Sequence, residues 1–121
     1  MTIKVINGIN VHFASGDGPS LSSEQDALDL IGETYGTEAE MIAVPSERFA
    51  RGFFDLSTRQ LGHFFQKLQN YRMRLAICGD ISDQLAASQA LRDFVRETNQ
   101  TGHHLFVDDP SALGAFLRGG S

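Results

Sequence analysis

Leu75-Ala76-Ile77-Cys78-Gly79-Asp80 is a short, unbroken apolar run closed by a turn signal. Such a run reads as a buried strand of a sheet covered on both faces. Just upstream, Ser57 with Gln60 three positions later carries a capping-box signature. Leu61, Phe64, Phe65 and Leu68 then make one apolar helical face, which runs to about Tyr71. A helix leading straight into a buried strand is the unit from which parallel sheets are built.

The unit recurs on both sides. Upstream, a helix starts at Ser22 or Ser23, with Gln25 or Asp26 as its capping partner, shows Ala27, Leu28, Ile31 and Tyr35 as its stripe, and ends at Gly36. The apolar run Met41-Ile42-Ala43-Val44, bounded by Pro45, follows as a strand. Residues 46–50 read as a helical turn. Downstream, a third helix over roughly 84–98 buries Ala87, Leu91, Phe94 and Val95, and Gly102 resets the chain for the strand His104-Leu105-Phe106-Val107. Asp109 caps a last helix with Pro110 in its first position and Leu113, Phe116 and Leu117 inward. Residues 118–121 are expected to fray.

The chain opens on a hairpin. Ile3-Lys4-Val5-Ile6 and Ile9-Asn10-Val11-His12-Phe13 flank Asn7-Gly8, a dipeptide suited to a type I′ turn. The order is therefore β-β-α-β-α-β-α-β-α. It predicts a single α/β domain over residues 1–121, with a mostly parallel five-stranded sheet edged by an antiparallel N-terminal strand.

Bulk composition narrows the function. The 121 residues are 41% hydrophobic and 21% charged, ordinary values for a globular domain with its own core. A net charge of −5 argues against electrostatic nucleic-acid binding, which needs a surplus of Lys and Arg. No apolar run reaches the roughly 18 residues that span a bilayer, so no membrane role is expected. Cys78 stands alone, which suits a reducing compartment, and a cytoplasmic location is expected.

Sites in open parallel sheets form beyond the carboxyl ends of the strands. There the sequence places Glu47, Asp80 and Asp108. Asp80 and Asp108 are the pair that would converge on a hard cation, yet turn chemistry accounts for Asp80 and helix capping for its neighbour Asp109, so no metal is expected. His12, His63, His103 and His104 lack zinc spacing, and adjacent strand residues such as His103 and His104 point to opposite faces. Cys78 reads as an inert buried thiol, and Gly-x-Ser-x-Gly is absent. The loop over residues 15–20 lacks the Gly-x-Gly-x-x-Gly and Gly-Lys-Ser/Thr patterns of phosphate cradles and reads as a plain turn. No cofactor is expected.

The most suggestive stretch is Phe53-Phe54-Asp55-Leu56-Ser57-Thr58. Its aromatics either pack under the connection or form a contact surface. Its hydroxyls either cap the next helix or mark a place where free helical N–H groups favour phosphate.

That stretch, with Gln66-Lys67-Leu68-Gln69-Asn70-Tyr71-Arg72-Met73-Arg74 running into Leu75–Asp80 and with Leu91-Arg92-Asp93-Phe94-Val95-Arg96-Glu97-Thr98-Asn99, resembles a bacterial family, domain of unknown function 4180. The family carries no established activity. The order of elements also resembles the STAS domain of anti-sigma-factor antagonists, whose partner switching turns on phosphorylation of a serine at the start of the second helix. In STAS regulators that serine lies in Asp-Ser-Ser-Gly; here Leu56 precedes Ser57 and Arg59 follows Thr58.

The leading expectation is a non-enzymatic, STAS-like regulatory module with a protein partner. Phe53, Phe54, Asp55, Ser57 and Thr58 would be its contact and regulatory residues, with Arg59, His63 and Lys67 alongside. The alternative is a small-molecule or metal-binding domain, or an enzyme, using Glu47, Asp80 and Asp108. A homodimer paired through the opening hairpin is a third expectation.

Overall fold

The computed structural model describes residues 2–50 and 52–116. Five strands form one sheet: β1 (Thr2–Ile6), β2 (Ile9–Phe13), β3 (Met41–Pro45), β4 (Arg74–Cys78) and β5 (Leu105–Val107), in spatial order 1-2-3-4-5. β1 and β2 are antiparallel and the remaining pairs parallel. Asn7 and Gly8 take φ of 49° and 87°, the left-handed pair that a type I′ turn requires.

The helices are α1 (Glu24–Glu33), α2 (Gln60–Asn70), α3 (Ser82–Ala87), α4 (Gln89–Thr101) and α5 (Leu113–Phe116). Strand alternation splits the core in two. Ile42, Val44, Leu75, Ile77 and Phe106 face Leu30 of α1, Leu61, Phe64 and Leu68 of α2, and Leu91 of α4. Val11, Met41, Ala43, Ala76, Leu105 and Val107 face the other way, where Leu113 of α5 closes over them. This follows from the topology: right-handed crossovers between strands laid down in sequence place every crossover helix on one face.

Four expectations are corrected. The third helix is two, because Ser88 leaves helical geometry (φ −144°) and its hydroxyl accepts the Leu91 N–H at 3.1 Å. Ala87 is consequently exposed. α1 stops at Glu33, where the Thr34 hydroxyl donates to the Ile31 carbonyl at 2.6 Å. Tyr35 is therefore 79% exposed, and Leu30 completes the buried stripe in its place. α2 begins at Gln60 and not behind a Ser57 cap; residues 56–58 form a separate 3₁₀ turn, and Arg59 (φ 64°) is the left-handed joint between them. Asp109 caps a 3₁₀ turn, Pro110–Ala112, that runs into α5, accepting the Ser111 N–H at 2.8 Å. Leu117, expected to point inward, and residues 118–121 lie outside the described residues, as does the side chain of Phe116.

One residue the sequence reading passed over anchors the region near the carboxyl end of β3. Arg48 is buried, and its guanidinium donates to the Ser15 carbonyl at 2.6 Å and to the Pro19 carbonyl at 3.0 Å. The loop over residues 15–20 is thus held by its own carbonyls around a cation. A Cβ on Gly18 would collide with that guanidinium.

Candidate functional site

A cavity of about 850 Å³ opens at the carboxyl ends of β3 and β4. Ser46 and Glu47 line it from the turn after β3, Phe54 and Asp55 from the connection toward α2, and Asp80, Gln84 and Ser88 from the α3 region. The structure thus joins two residues of each expected set: Phe54 and Asp55 share one crevice with Glu47 and Asp80.

Beside this mouth the ends of β3 and β4 approach closely, which requires a glycine. Gly79 adopts φ 149°, and a Cβ there would run into the Ser46 side chain. The Gly79 N–H donates to the Val107 carbonyl at 2.9 Å, tying the end of β4 to that of β5. Asp80 accepts the Ser82 N–H at 2.8 Å. The Ser82 hydroxyl, then that N–H, holds the Asp80 carboxyl below the usual range, so it is ionised at neutral pH.

Asp108 does not join Asp80. With Glu47 and Cys78 it lines a separate cavity of about 360 Å³. Burial, with Asp109 adding, pushes the Cys78 thiol up to about 11, which makes it a poor nucleophile at neutral pH. Among the described residues no group of three His, Cys, Asp or Glu side chains is placed to hold a metal ion. His12 lies buried on β2 with Nε2 3.7 Å from Glu33.

Phe53 and Phe54 pack underneath. Phe53 is fully buried and Phe54 is 8% exposed. Phe53 stacks on Phe49 at 4.4 Å between centroids and meets Phe64 edge-on at 5.4 Å. Their role is to fix the connection to α2, and only Phe54 reaches the crevice wall.

Asp55 follows Phe54 in the chain and lines the crevice with it. Its Oδ1 accepts the Ser57 N–H at 3.0 Å and the Ser57 hydroxyl at 2.7 Å. The hydroxyl first, and the N–H second, lower the Asp55 pKa. The Thr58 hydroxyl turns back to the Asp55 carbonyl at 2.8 Å. Ser57, Thr58 and Arg59 are exposed. On the outer side of α2, Lys67 pairs with Glu24 of α1 at 3.2 Å, and His63 lies 3.9 Å from the same carboxylate.

Fold and site together define a mixed α/β domain with its crossover helices on one face of the sheet and a carboxylate-lined crevice at the strand ends. No helix among the described residues is long and apolar enough to cross a membrane. The chain belongs to the family described as domain of unknown function (DUF4180), whose model matches residues 6–117. No curated protein and no solved structure matches it.

Proposed function

We propose that this chain is a non-enzymatic, STAS-like regulatory module. A protein partner docks at the crevice mouth and along the Asp55–Arg59 corner, and phosphorylation of Ser57 controls its release. The observation that carries this reading is the double role of Asp55, which lines the crevice and holds the exposed Ser57 hydroxyl at 2.7 Å. A kinase would replace the hydroxyl proton with the γ-phosphoryl group of a nucleoside triphosphate, releasing the diphosphate. The Ser57–Asp55 hydrogen bond is then lost, and a charge of about −1.5 to −2 lies against a carboxylate. The corner must rearrange, and the crevice wall moves with it. Thr58 is the weaker target, since its hydroxyl is engaged by the backbone.

The test is photo-crosslinking in the source cells, from a probe at Gln84 inside the crevice and from one at Tyr35 as a remote control. A discrete adduct from Gln84 that is absent from Tyr35, and lost in Ser57→Asp, supports the reading. Equal adducts from both positions, or an adduct unchanged by Ser57→Asp, would remove it.

A second reading rests on volume. At about 850 Å³ the crevice lies within the range of small-molecule sites. Glu47, Asp55 and Asp80 favour a cationic ligand, so a thermal-shift screen with spermidine, arginine and divalent ions separates this occupant from a protein. Pairing of two copies along the open edge of β1 is the third, where Ile3 and Val5 are 40% and 66% exposed. Sedimentation at two concentrations reads it.

A further inference from the structure

The two edges of the sheet are finished differently. Among the described residues β5 ends it on one side and β1 on the other. On β5 the Val107 carbonyl turns inward and accepts the Gly79 N–H at 2.9 Å. By strand alternation Phe106, one residue back, presents its N–H and carbonyl outward. Asn99 of α4 meets both. Its Oδ1 accepts the Phe106 N–H at 2.8 Å, and its Nδ2 donates to the Phe106 carbonyl at 3.1 Å. One side-chain amide stands in for a further strand and seals this edge against association.

Among the described residues β1 has no such cover. In a hairpin with a two-residue loop, Ile6 and Ile9 form the hydrogen-bonded pair beside the turn, and the pattern alternates from there. Thr2, Lys4 and Ile6 therefore direct their backbone groups to β2, while Ile3 and Val5 direct theirs outward. The same two residues carry exposed apolar side chains. Both lie on the face of the sheet that holds His12, which stands opposite Ile3.

Lys4 stands between them on the other face. A lysine in the middle of an edge strand normally guards it against pairing. Here its Nζ lies 5.5 Å from the centroid of the Phe13 ring on β2, drawn inward and away from the edge. That posture leaves the backbone edge clear.

We infer that β1 pairs antiparallel with β1 of a second copy, about a two-fold axis at Lys4. This rests on the pairing named third above and specifies its register. Ile3 of each copy faces Val5 of the other and exchanges both backbone hydrogen bonds with it. The strand is self-complementary in this register, and the two pairs of apolar side chains meet on one face. An axis moved to Val5 would set Ile3 against Asn7, which has left the strand at φ 49°. Because Asn99 seals β5, the assembly closes at two copies and does not grow into a fibre. Strands of five residues make a contact smaller than the roughly 1,200–2,000 Å² of stable complexes, so the dimer is weak.

The test is sedimentation equilibrium of the full chain across roughly a hundredfold range of concentration. A monomer–dimer equilibrium with nothing larger is expected. Val5→Pro deletes an outward N–H that β2 does not use, so it should leave the chain folded and abolish the dimer. A mixture of the parent chain with fluorescently labelled Lys4→Glu reads the axis. Opposite charges then meet across it, and the mixed dimer should form roughly threefold more tightly than the parent dimer. A monomer at every concentration, or a dimer that persists in folded Val5→Pro, overturns pairing through β1 itself. A dimer lost in Val5→Pro but without preference for the mixed pair keeps that pairing and overturns the axis at Lys4. Species larger than two copies overturn the closure at β5.

Discussion

His104 Nδ1 accepts the backbone N–H of Leu75 at 3.0 Å, taking a ladder position on β4 that no carbonyl of β5 fills. Its Nε2 lies 3.2 Å from the Phe65 carbonyl, so the bonded tautomer carries its proton on Nε2. One neutral ring thus joins two strands to α2.

That arrangement makes stability depend on pH. Burial, with His103 and Arg74 adding, lowers the His104 pKa from 6.5 to about 4. Between these values the unfolded chain binds a proton that the folded chain does not. Stability is full above pH 6.5 and falls as the pH drops toward 4, by about 3 kcal/mol in all. His103 titrates in the same direction. Urea unfolding across this range should show the slope. His104→Asn, which keeps an acceptor for Leu75, should flatten it, and an unchanged slope would refute the assignment.

Gly79→Ala should cost about 2–3 kcal/mol, because the residue needs a left-handed φ and its Cβ would strike Ser46. Ser46→Ala in the same chain should restore part of the loss. Chemical denaturation of the single and double variants measures both, and full additivity would mean the two side chains do not collide.

Arg48→Met removes the donor that holds the Ser15 and Pro19 carbonyls. The expected loss is about 2–3 kcal/mol, with faster amide exchange confined to the loop over residues 15–20 and the Leu21 bridge to Phe49. Uniformly faster exchange would show that Arg48 supports the whole core.

Ser57→Ala deletes the hydroxyl that holds Asp55 ionised, so the Asp55 carboxyl should titrate at higher pH than in the parent chain. The direction is read by NMR titration of its side-chain carbonyl. An unmoved titration would show that the 2.7 Å bond has no weight in solution, and the case for Ser57 as a switch would weaken with it.

The sheet was legible because its signals are local. Asn7-Gly8 dictates one turn, and the runs at Met41 and Leu75 are too short and too apolar for anything but inner strands. Helix ends were less legible, because a hydroxyl bonds whichever partner reaches it: the Ser57 hydroxyl donates to the Asp55 carboxylate, and the Ser88 hydroxyl accepts the Leu91 N–H and caps in mid-helix. The site was half legible. Glu47 and Asp80 follow from strand ends, but the approach of Phe54 and Asp55 to them depends on the Phe49–Phe53–Phe64 stacking, which no sequence interval encodes.

Strand order 1-2-3-4-5 means that each new strand pairs with the one made before it. A ribosome could therefore deliver the sheet edge by edge, each strand pairing with its predecessor and helices docking as they emerge. The opposite face has no such luck. Val11, Met41, Ala43 and Ala76 stay wet until Leu113 has emerged and docked on them. The nascent chain is most exposed to aggregation in that interval, and a truncation before Leu113 should leave it there for good.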